Sequence, residues 1–418
     1  MPSALPNDPH SADSRLRARA RQVIPGGLWG HMRAEAVPAG YPQFFEGGDG
    51  ALVRDVNGRD YIDFMCSWGP IILGHRHPEV DRAALAQISA GDCLNGPTEH
   101  AVRLAEKLVA TIPHADWALF QKNGSDAMTS CVTLARAGTG RRKILVARGA
   151  YHGAVPWSSP SLIGVTAEDR AHLIPYDYND ADSLDAAVAL AGDDLAGIVV
   201  SAFRHDLAQR QELPTEPFAN AARAHCDRLD AALILDDVRA GFRLNLGGSW
   251  EEVGVRPDLA AYSKAIANGY PLAAVTGTDR FRQAGETCFF TGSFWYGGAA
   301  MAAAVATIEV LEREDGPARL RAAGTRFAQG LTRSAARHGF DVTLSGPPAM
   351  PIMHFADDPG ARLGEAFCQQ ALARGVYLHH THNMFLSLAH TDGVIDTALS
   401  AIDDAFDALA GHRAVPAE

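Results

Sequence analysis

The stretch from Leu233 to Pro271, LILDDVRAGFRLNLGGSWEEVGVRPDLAAYSKAIANGYP, decides the fold class of this chain. It begins inside an apolar run, Ala232–Leu235, that is typical of a strand buried on both faces of a sheet. Asp236 stands where that strand should end. A second apolar segment, Leu259–Tyr262, leads into a glycine-containing turn that carries Lys264. Because ligands bind at the carboxyl ends of strands in open α/β sheets, the stretch predicts an acid and a lysine at one binding edge.

Helix-like and strand-like segments alternate from residue 80 to about residue 306. Such alternation predicts βαβ units and therefore an α/β fold with a mostly parallel central sheet. The candidate helices are His100–Ala110, Ala127–Ala137, Leu184–Ala191 and Ala219–Leu229, and the candidate strands are Trp117–Phe120, Lys143–Val146, Gly197–Ser201 and Leu233–Leu235.

The sequence predicts three parts. We expect residues 1–75 to form an N-terminal segment and residues 76–312 to form the large domain with the parallel sheet. Residues 313–418 follow an alanine-rich helix and predict a small C-terminal α/β domain.

Composition excludes several classes of protein. The 418 residues are 47% hydrophobic, enough for a substantial core, and carry a formal net charge of −12, from 37 basic and 49 acidic residues. A negative balance of this size argues against a nucleic-acid partner. No apolar run approaches the length of a bilayer-spanning helix, and the six cysteines are scattered without a CxxC pair. We expect a cytoplasmic protein with reduced thiols and no membrane partner.

An acid and a lysine at neighbouring strand ends suit the chemistry of pyridoxal 5′-phosphate (PLP). A buried amine such as Lys264 can hold an aldehyde as a Schiff base, and a carboxylate such as Asp236 can keep a pyridine nitrogen protonated. Taken alone, the two residues are better explained as an ordinary strand-end carboxylate and a solvated lysine.

Longer motifs resemble those of the class III aminotransferases, in the branch around glutamate-1-semialdehyde aminomutase. The matching stretches are LILDDV at Leu233–Val238, GFR at Gly241–Arg243 and PDLAAYSKAIANGYPLAAV at Pro257–Val275, within a resemblance that extends from Ile24 to about His390. The resemblance implies PLP fold type I, with a large domain and a small C-terminal domain, and PLP as cofactor. It also implies transfer of an amino group from an amino acid or amine donor to a keto acid or aldehyde by a ping-pong Schiff-base mechanism.

The segment Phe120–Ala127 resembles the phosphate cup of this family. Asn123, Gly124 and Ser125 match its SGT residues, at the start of a predicted helix where unpaired N–H groups and the helix dipole attract anions. The family's Asn is Lys122 here. From local sequence alone, a plain N-cap explains the segment as well.

The remaining cofactor contacts are implied by matched motifs. Tyr151, in a YHG motif, would lie flat on the pyridine ring, and Val238 would cover the opposite face. His152 would assist, although a hydrogen-bonding loop histidine explains it equally well. Asp236 would face the ring nitrogen and raise its pKa. Lys264 would bind the cofactor, leave when the substrate amine arrives, and then move protons.

A Gly-rich aromatic loop, Phe290–Gly298, resembles the family loop whose hydroxyl reaches the phosphate of the neighbouring subunit. Ser293 matches that hydroxyl residue, and Thr291 is a rival in the same loop. The resemblance therefore implies an obligate homodimer with a shared active site.

Two residues are candidates for substrate binding. Arg33 matches the substrate-facing arginine of the family's entry loop, and a surface ion pair is its alternative role. His382 lies in the segment that closes over substrate and replaces an acidic residue of the aminomutase. Ser201 stands where many class III enzymes have Glu. These departures favour a substrate other than glutamate semialdehyde, with a β- or ω-amino acid or a specialised amine as candidates.

A zinc site is the alternative for the histidines at 379, 380 and 382. Adjacent histidines on an extended segment point to opposite sides, and no second ligand cluster lies nearby in sequence, so we predict no metal.

Three other functions compete with amine transfer to a second substrate. An aminomutase needs the same Asp, Lys and Tyr. A non-catalytic PLP-fold protein could dispense with Lys264, which is present here in its expected context. A nicotinamide dehydrogenase would need a GxGxxG motif after an early strand, and the chain lacks one.

Overall fold

The structure is a computed structural model, and it describes residues 10–205 and 209–413. These residues form two compact units. Unit 1 comprises the described residues up to Trp68, residues 73–77 and the described residues from Arg321 onward. Unit 2 comprises Gly69–Ile72 and the described residues of Pro78–Leu320.

Helices and strands alternate through unit 2, as the sequence predicts. The elements of both units are numbered together in chain order. The strands are β1 (Phe45–Asp49), β2 (Leu52–Asp55), β3 (Asp60–Asp63), β4 (Trp117–Gln121), β5 (Lys143–Ala147), β6 (Leu173–Tyr176), β7 (Leu195–Ser201), β8 (Ala232–Asp236), β9 (Leu259–Tyr262), β10 (Ala273–Gly277), β11 (Val342–Ser345), β12 (Ile352–Phe355) and β13 (Val376–Tyr377). The helices are α1 (Ala12–Val23), α2 (Pro78–Ala90), α3 (Glu99–Thr111), α4 (Gly124–Thr139), α5 (Ala181–Ala191), α6 (Glu216–Leu229), α7 (Arg282–Thr287), α8 (Gly298–Arg313), α9 (Gly316–Arg337), α10 (Arg362–Ala373) and α11 (Asp392–Arg413).

The seven-stranded sheet of unit 2 has the order β4-β10-β9-β8-β7-β5-β6. All its neighbouring strands pair in parallel except β10, which is antiparallel to both β4 and β9. Strands β7 to β10 are buried along their whole length, which explains their continuous apolar sequences. The predicted α/β fold with a mostly parallel sheet is confirmed.

The core of unit 2 lies between α4 and the sheet. Met128 and Cys131 of α4 pack in one buried cluster with Ile234 of β8 and Val275 of β10. Full burial of an apolar side chain of this size contributes about 1.5–3 kcal/mol. The packing fixes the start of α4 relative to the strand ends.

Unit 1 contains a four-stranded sheet of order β1-β2-β3-β13 and the β11–β12 hairpin. Strand β13 pairs in parallel with β3, where Val376 lies opposite Ile62. The first and last parts of the chain therefore share one sheet. The three-part division at residues 75 and 312 stays a prediction, because the compact units group residues differently.

Within the described ranges, no helix has both the length and the apolar character needed to cross a membrane. All six cysteines are free thiols. The cytoplasmic location stays a prediction.

Candidate active site

The carboxyl ends of several strands of unit 2 surround a cavity of about 310 Å³. Strands β4, β5, β8 and β9 run in the same direction, so their carboxyl ends lie at one edge of the sheet. All the described residues that line the cavity belong to unit 2. The cavity is thus at the edge where α/β sheets bind ligands.

Asp236 and His152 form a buried pair in the cavity wall. Asp236 is the last residue of β8, and its Oδ2 lies 2.7 Å from Nδ1 of His152. Its other oxygen, Oδ1, accepts a hydrogen bond of 3.1 Å from the N–H of Val238. The Nε2 atom of His152 is buried and has no hydrogen-bond partner among the residues that the structure describes. The carboxylate is therefore held in one orientation.

Lys264 follows β9 and lines the same cavity. It adopts a left-handed backbone conformation with φ 47°, which is uncommon outside glycine. The turn is held by Ser263, whose hydroxyl donates to the carbonyl of Leu272 at 2.8 Å. The pKa of Lys264 is lowered to about 7, mainly by burial and also by the positive charge of Arg239, while Asp236 acts in the opposite direction. Near neutral pH the amine is therefore available in its uncharged form.

The start of α4 contributes backbone donors to the cavity. Asn123 is the N-cap, and its Oδ1 accepts from the N–H of Asp126 at 3.1 Å. The N–H groups of Gly124 and Ser125, in the first turn, have no partner within the helix. The side chain of Asn123 is thus engaged in capping, while the backbone at Gly124 and Ser125 is suited to an anion.

Glycines allow close packing around this helix start. A Cβ atom added at Gly124 would lie 2.6 Å from Cγ1 of Val238, and one at Gly153 would lie 2.5 Å from Oγ of Ser125. Both distances are too short for real atoms. The turn after β8, the loop after β5 and the start of α4 therefore need glycine at these two positions.

Tyr151 and Val238 also line the cavity. Tyr151 is 44% exposed, and its hydroxyl has a raised pKa because of burial, with Arg239 acting in the opposite direction. The structure thus brings together eight of the residues predicted from the sequence: Asn123, Gly124, Ser125, Tyr151, His152, Asp236, Val238 and Lys264.

Three predicted residues lie elsewhere. Ser293 is exposed in a loop of unit 2 that does not line the cavity. Arg33 is exposed in unit 1, and His382, also in unit 1, is 9% exposed with its ring 4.9 Å from that of Trp68. Their predicted roles stay predictions.

Sequence reasoning missed some cavity residues, chiefly Arg239 and His205. Arg239 follows Asp236 by three residues, so a charged side chain just beyond a strand-end acid was the available signal. His205 gave no signal, because the loop after β7 matched no motif. The described residues contain no group of three or more His, Cys, Asp or Glu arranged to hold a metal ion.

Comparisons with known proteins agree with this geometry. The aminotransferase class-III family model matches residues 36–406. An aminopentol aminotransferase of Sphingopyxis macrogoltabida is 45% identical over 94% of this chain and 93% of its own. A 3-aminobutyryl-CoA aminotransferase of Cloacimonas acidaminovorans is 34% identical over 93% and 94% of the two chains. A glutamate-1-semialdehyde 2,1-aminomutase of Heliobacterium modesticaldum is 32% identical over 97% and 99%.

A solved structure supports the same assignment. The FumI protein of Sphingopyxis sp. MTA144, in its PLP internal aldimine form, has a TM-score of 0.94 at 44% identity and covers 97% of this chain and 98% of its own. The predicted resemblance and PLP fold type I are confirmed. The chain belongs to the class-III aminotransferase family, and it is a PLP-dependent aminotransferase.

Proposed function

We propose that Lys264 is the residue that binds PLP in this cavity and that Asp236 faces the pyridine nitrogen. The observation that carries the proposal is the pairing of β8 with β9. Asp236 is in register with Ala261, and Lys264 follows three residues later, so both side chains reach the same cavity.

The donor set of the cavity fits PLP. An aldehyde needs an amine that is uncharged near neutral pH, a ring nitrogen needs an anion, and a phosphate needs several N–H donors. Lys264, Asp236 and the first turn of α4 supply these groups around the same cavity. Ser125 and the glycine at 124 allow the phosphate to approach the backbone.

PLP supplies an aldehyde that condenses with amines and a pyridine ring that withdraws electrons from the neighbouring carbon. Lys264 Nζ accepts a proton from the substrate carbon that bears the amine and later returns it as an acid. A pKa of about 7 suits both roles at neutral pH. Asp236, oriented by its contact with His152, would face the ring nitrogen and favour the protonated ring. Tyr151 and Val238, which line the same cavity, would cover the two faces of the ring.

The visible spectrum of the purified protein with added PLP tests these roles. We expect an absorption band that is absent in Lys264→Ala, and bleaching of the band when an amine donor is added without keto acid. Appearance of the matching keto or aldehyde product establishes the transfer half-reaction. A band in Lys264→Ala equal to that of the wild type would refute the assignment of this lysine.

We infer that the active form is a homodimer in which Ser293 of one subunit contacts the phosphate bound by the other. Support comes from the exposed apolar residues around this loop, since Phe289 is 91% exposed and Phe294 is 68% exposed. Light scattering gives the oligomeric state. Ser293→Ala should weaken PLP binding, whereas a loss confined to Thr291→Ala would assign the contact to the rival hydroxyl.

We propose a donor whose amine is carried by a carbon that bears no carboxylate, such as a β-amino acid derivative or an amino alcohol. The names of the two most similar relatives given above, aminopentol and 3-aminobutyryl-CoA aminotransferase, support this class. Arg33 and His382 stay the predicted substrate-binding residues. A panel of β-amino acids, amino alcohols and α-amino acids tests the class, and bleaching by α-amino acids alone would exclude it.

A further inference from the structure

Arg239 places a positive charge in the wall of the cavity that Lys264 and Asp236 also line. It lies in the turn after β8, three residues beyond Asp236, and lines the cavity together with Lys264 and Tyr151. Burial lowers the pKa of Arg239 to about 10, with Asp236 acting in the opposite direction. The guanidinium therefore keeps its charge at neutral pH.

Charged groups from several elements surround the amine of Lys264. Burial has the largest effect on this amine and disfavours its protonated form; among the charged groups, Arg239 and, less strongly, Arg243 act in the same direction, and Asp236 opposes them. Arg243 is fully buried and donates to the carbonyls of Gly69 and Ile71 at 2.8 and 3.2 Å. Among the described residues, the other titratable residues that line the cavity are Lys122 after β4, Tyr151 and His152 after β5, His205 after β7, Asp236 and Arg239 at and after the end of β8, and Tyr270 before β10.

The neutral state of His205 leaves Arg239 as the main cation opposing Asp236. Burial lowers the pKa of His205 well below its ordinary value, and Arg239 contributes in the same direction. The imidazole is therefore uncharged at neutral pH. Without Arg239, the carboxylate of Asp236 would be the dominant charge acting on Lys264.

We propose that Arg239 is a positioning residue that keeps the Lys264 nitrogen uncharged at neutral pH by holding a fixed positive charge in the same cavity wall. The inference rests on the proposed attachment of PLP to Lys264. Arg239 thereby offsets the effect of Asp236, an anion that is needed for the ring nitrogen and that would otherwise favour a protonated lysine. The cavity can then combine the carboxylate of Asp236 with an uncharged Lys264 nitrogen that can accept a proton.

The experiment is a pH titration of the visible band of the PLP-loaded protein, since the band changes when the Lys264 nitrogen gains a proton. Arg239→Gln should raise the apparent pKa of the band by about one pH unit, the effect expected from removing one like charge. Arg239→Lys keeps the charge and should titrate close to the wild type. The exposed Arg148, which pairs with Asp177 and does not line the cavity, gives the control Arg148→Gln, which should leave the titration unchanged.

The outcomes separate this inference from the proposed function. A wild-type protein that forms no visible band with PLP would refute the proposed function itself. A wild-type band that titrates at the same pH in Arg239→Gln would overturn only the role of Arg239.

A second measurement applies where Arg239→Gln no longer binds PLP. In the PLP-free protein, mass spectrometry follows the rate at which Lys264 reacts with an amine-acylating reagent at each pH. The pH dependence of this rate gives the pKa of the amine. A higher pKa in Arg239→Gln than in the wild type is expected. Identical profiles would overturn the inference.

Discussion

Replacing Gly124 by alanine tests the link between packing and cofactor binding. The added Cβ would lie 2.6 Å from Cγ1 and 3.0 Å from Cγ2 of Val238, whereas carbon atoms in contact are normally about 3.5–4 Å apart. An overlap of this size costs about 1–3 kcal/mol, because the surrounding backbone must move. Since both residues line the proposed PLP cavity, we expect the displaced atoms to weaken PLP binding by the same free energy. At about 1.4 kcal/mol per tenfold, the Kd for PLP should rise roughly 5- to 150-fold.

The assay is a PLP titration followed by absorbance, with unfolding by urea as a parallel measurement of stability. Gly285→Ala is the matched control. This glycine lies in α7, and an added Cβ would meet nothing within 4 Å. Its Kd should equal that of the wild type, and its stability should be unchanged or higher by up to about 1 kcal/mol, the difference in helix propensity.

The double variant Gly124→Ala/Val238→Ala isolates the clash. Truncating Val238 removes both methyl groups that the new Cβ would meet and leaves its own Cβ 3.4 Å away. The double variant should bind PLP more tightly than Gly124→Ala. Wild-type affinity in Gly124→Ala, or no coupling between the two substitutions, would refute the packing argument.

Three further predictions concern the same region. Burial raises the pKa of Asp237 to about 7, so the folded state favours the neutral acid, and the free energy of unfolding should fall as the pH rises from about 4 to about 7. Urea unfolding of Asp237→Asn should lack this pH dependence. His152→Phe removes the 2.7 Å contact to Asp236, and loss of a hydrogen bond to a buried charge costs about 1.5–3 kcal/mol. We therefore expect kcat/KM to fall roughly ten- to a hundredfold, and an unchanged kcat/KM would exclude a role for the pair. Asn123→Ala removes the N-cap of α4 and should reduce stability by about 1 kcal/mol in urea unfolding, while Asn123→Ser should retain most of it.

The sequence predicted the sheet because its strands carry strong local signals. The apolar runs at β7, β8 and β9 are buried on both faces, and Asp236 and Lys264 follow β8 and β9 as expected. The antiparallel direction of β10 was not predictable, because strand direction depends on the path of the chain between strands and leaves no local pattern.

Contacts between distant residues were also beyond sequence reasoning. His152 and Asp236 meet although 84 positions separate them, and neither residue indicates its partner. Strand β13 has two residues, too few for an alternating pattern, so the shared sheet of unit 1 could not be predicted. The resemblance to a family predicted eight of the residues that line the cavity, whereas Arg239 and His205 became apparent only in the structure.

The pairing of β13 with β3 has a consequence for synthesis on the ribosome. Val376 must have left the ribosome before it can pair with Ile62, more than three hundred residues earlier in the chain. The seven strands of unit 2 all lie between Trp117 and Gly277, so their sheet can form while later residues are still being made. Until β13 has been synthesised, the edge of β3 that pairs with it stays unpaired, and an unpaired strand edge of this kind is a site for aggregation.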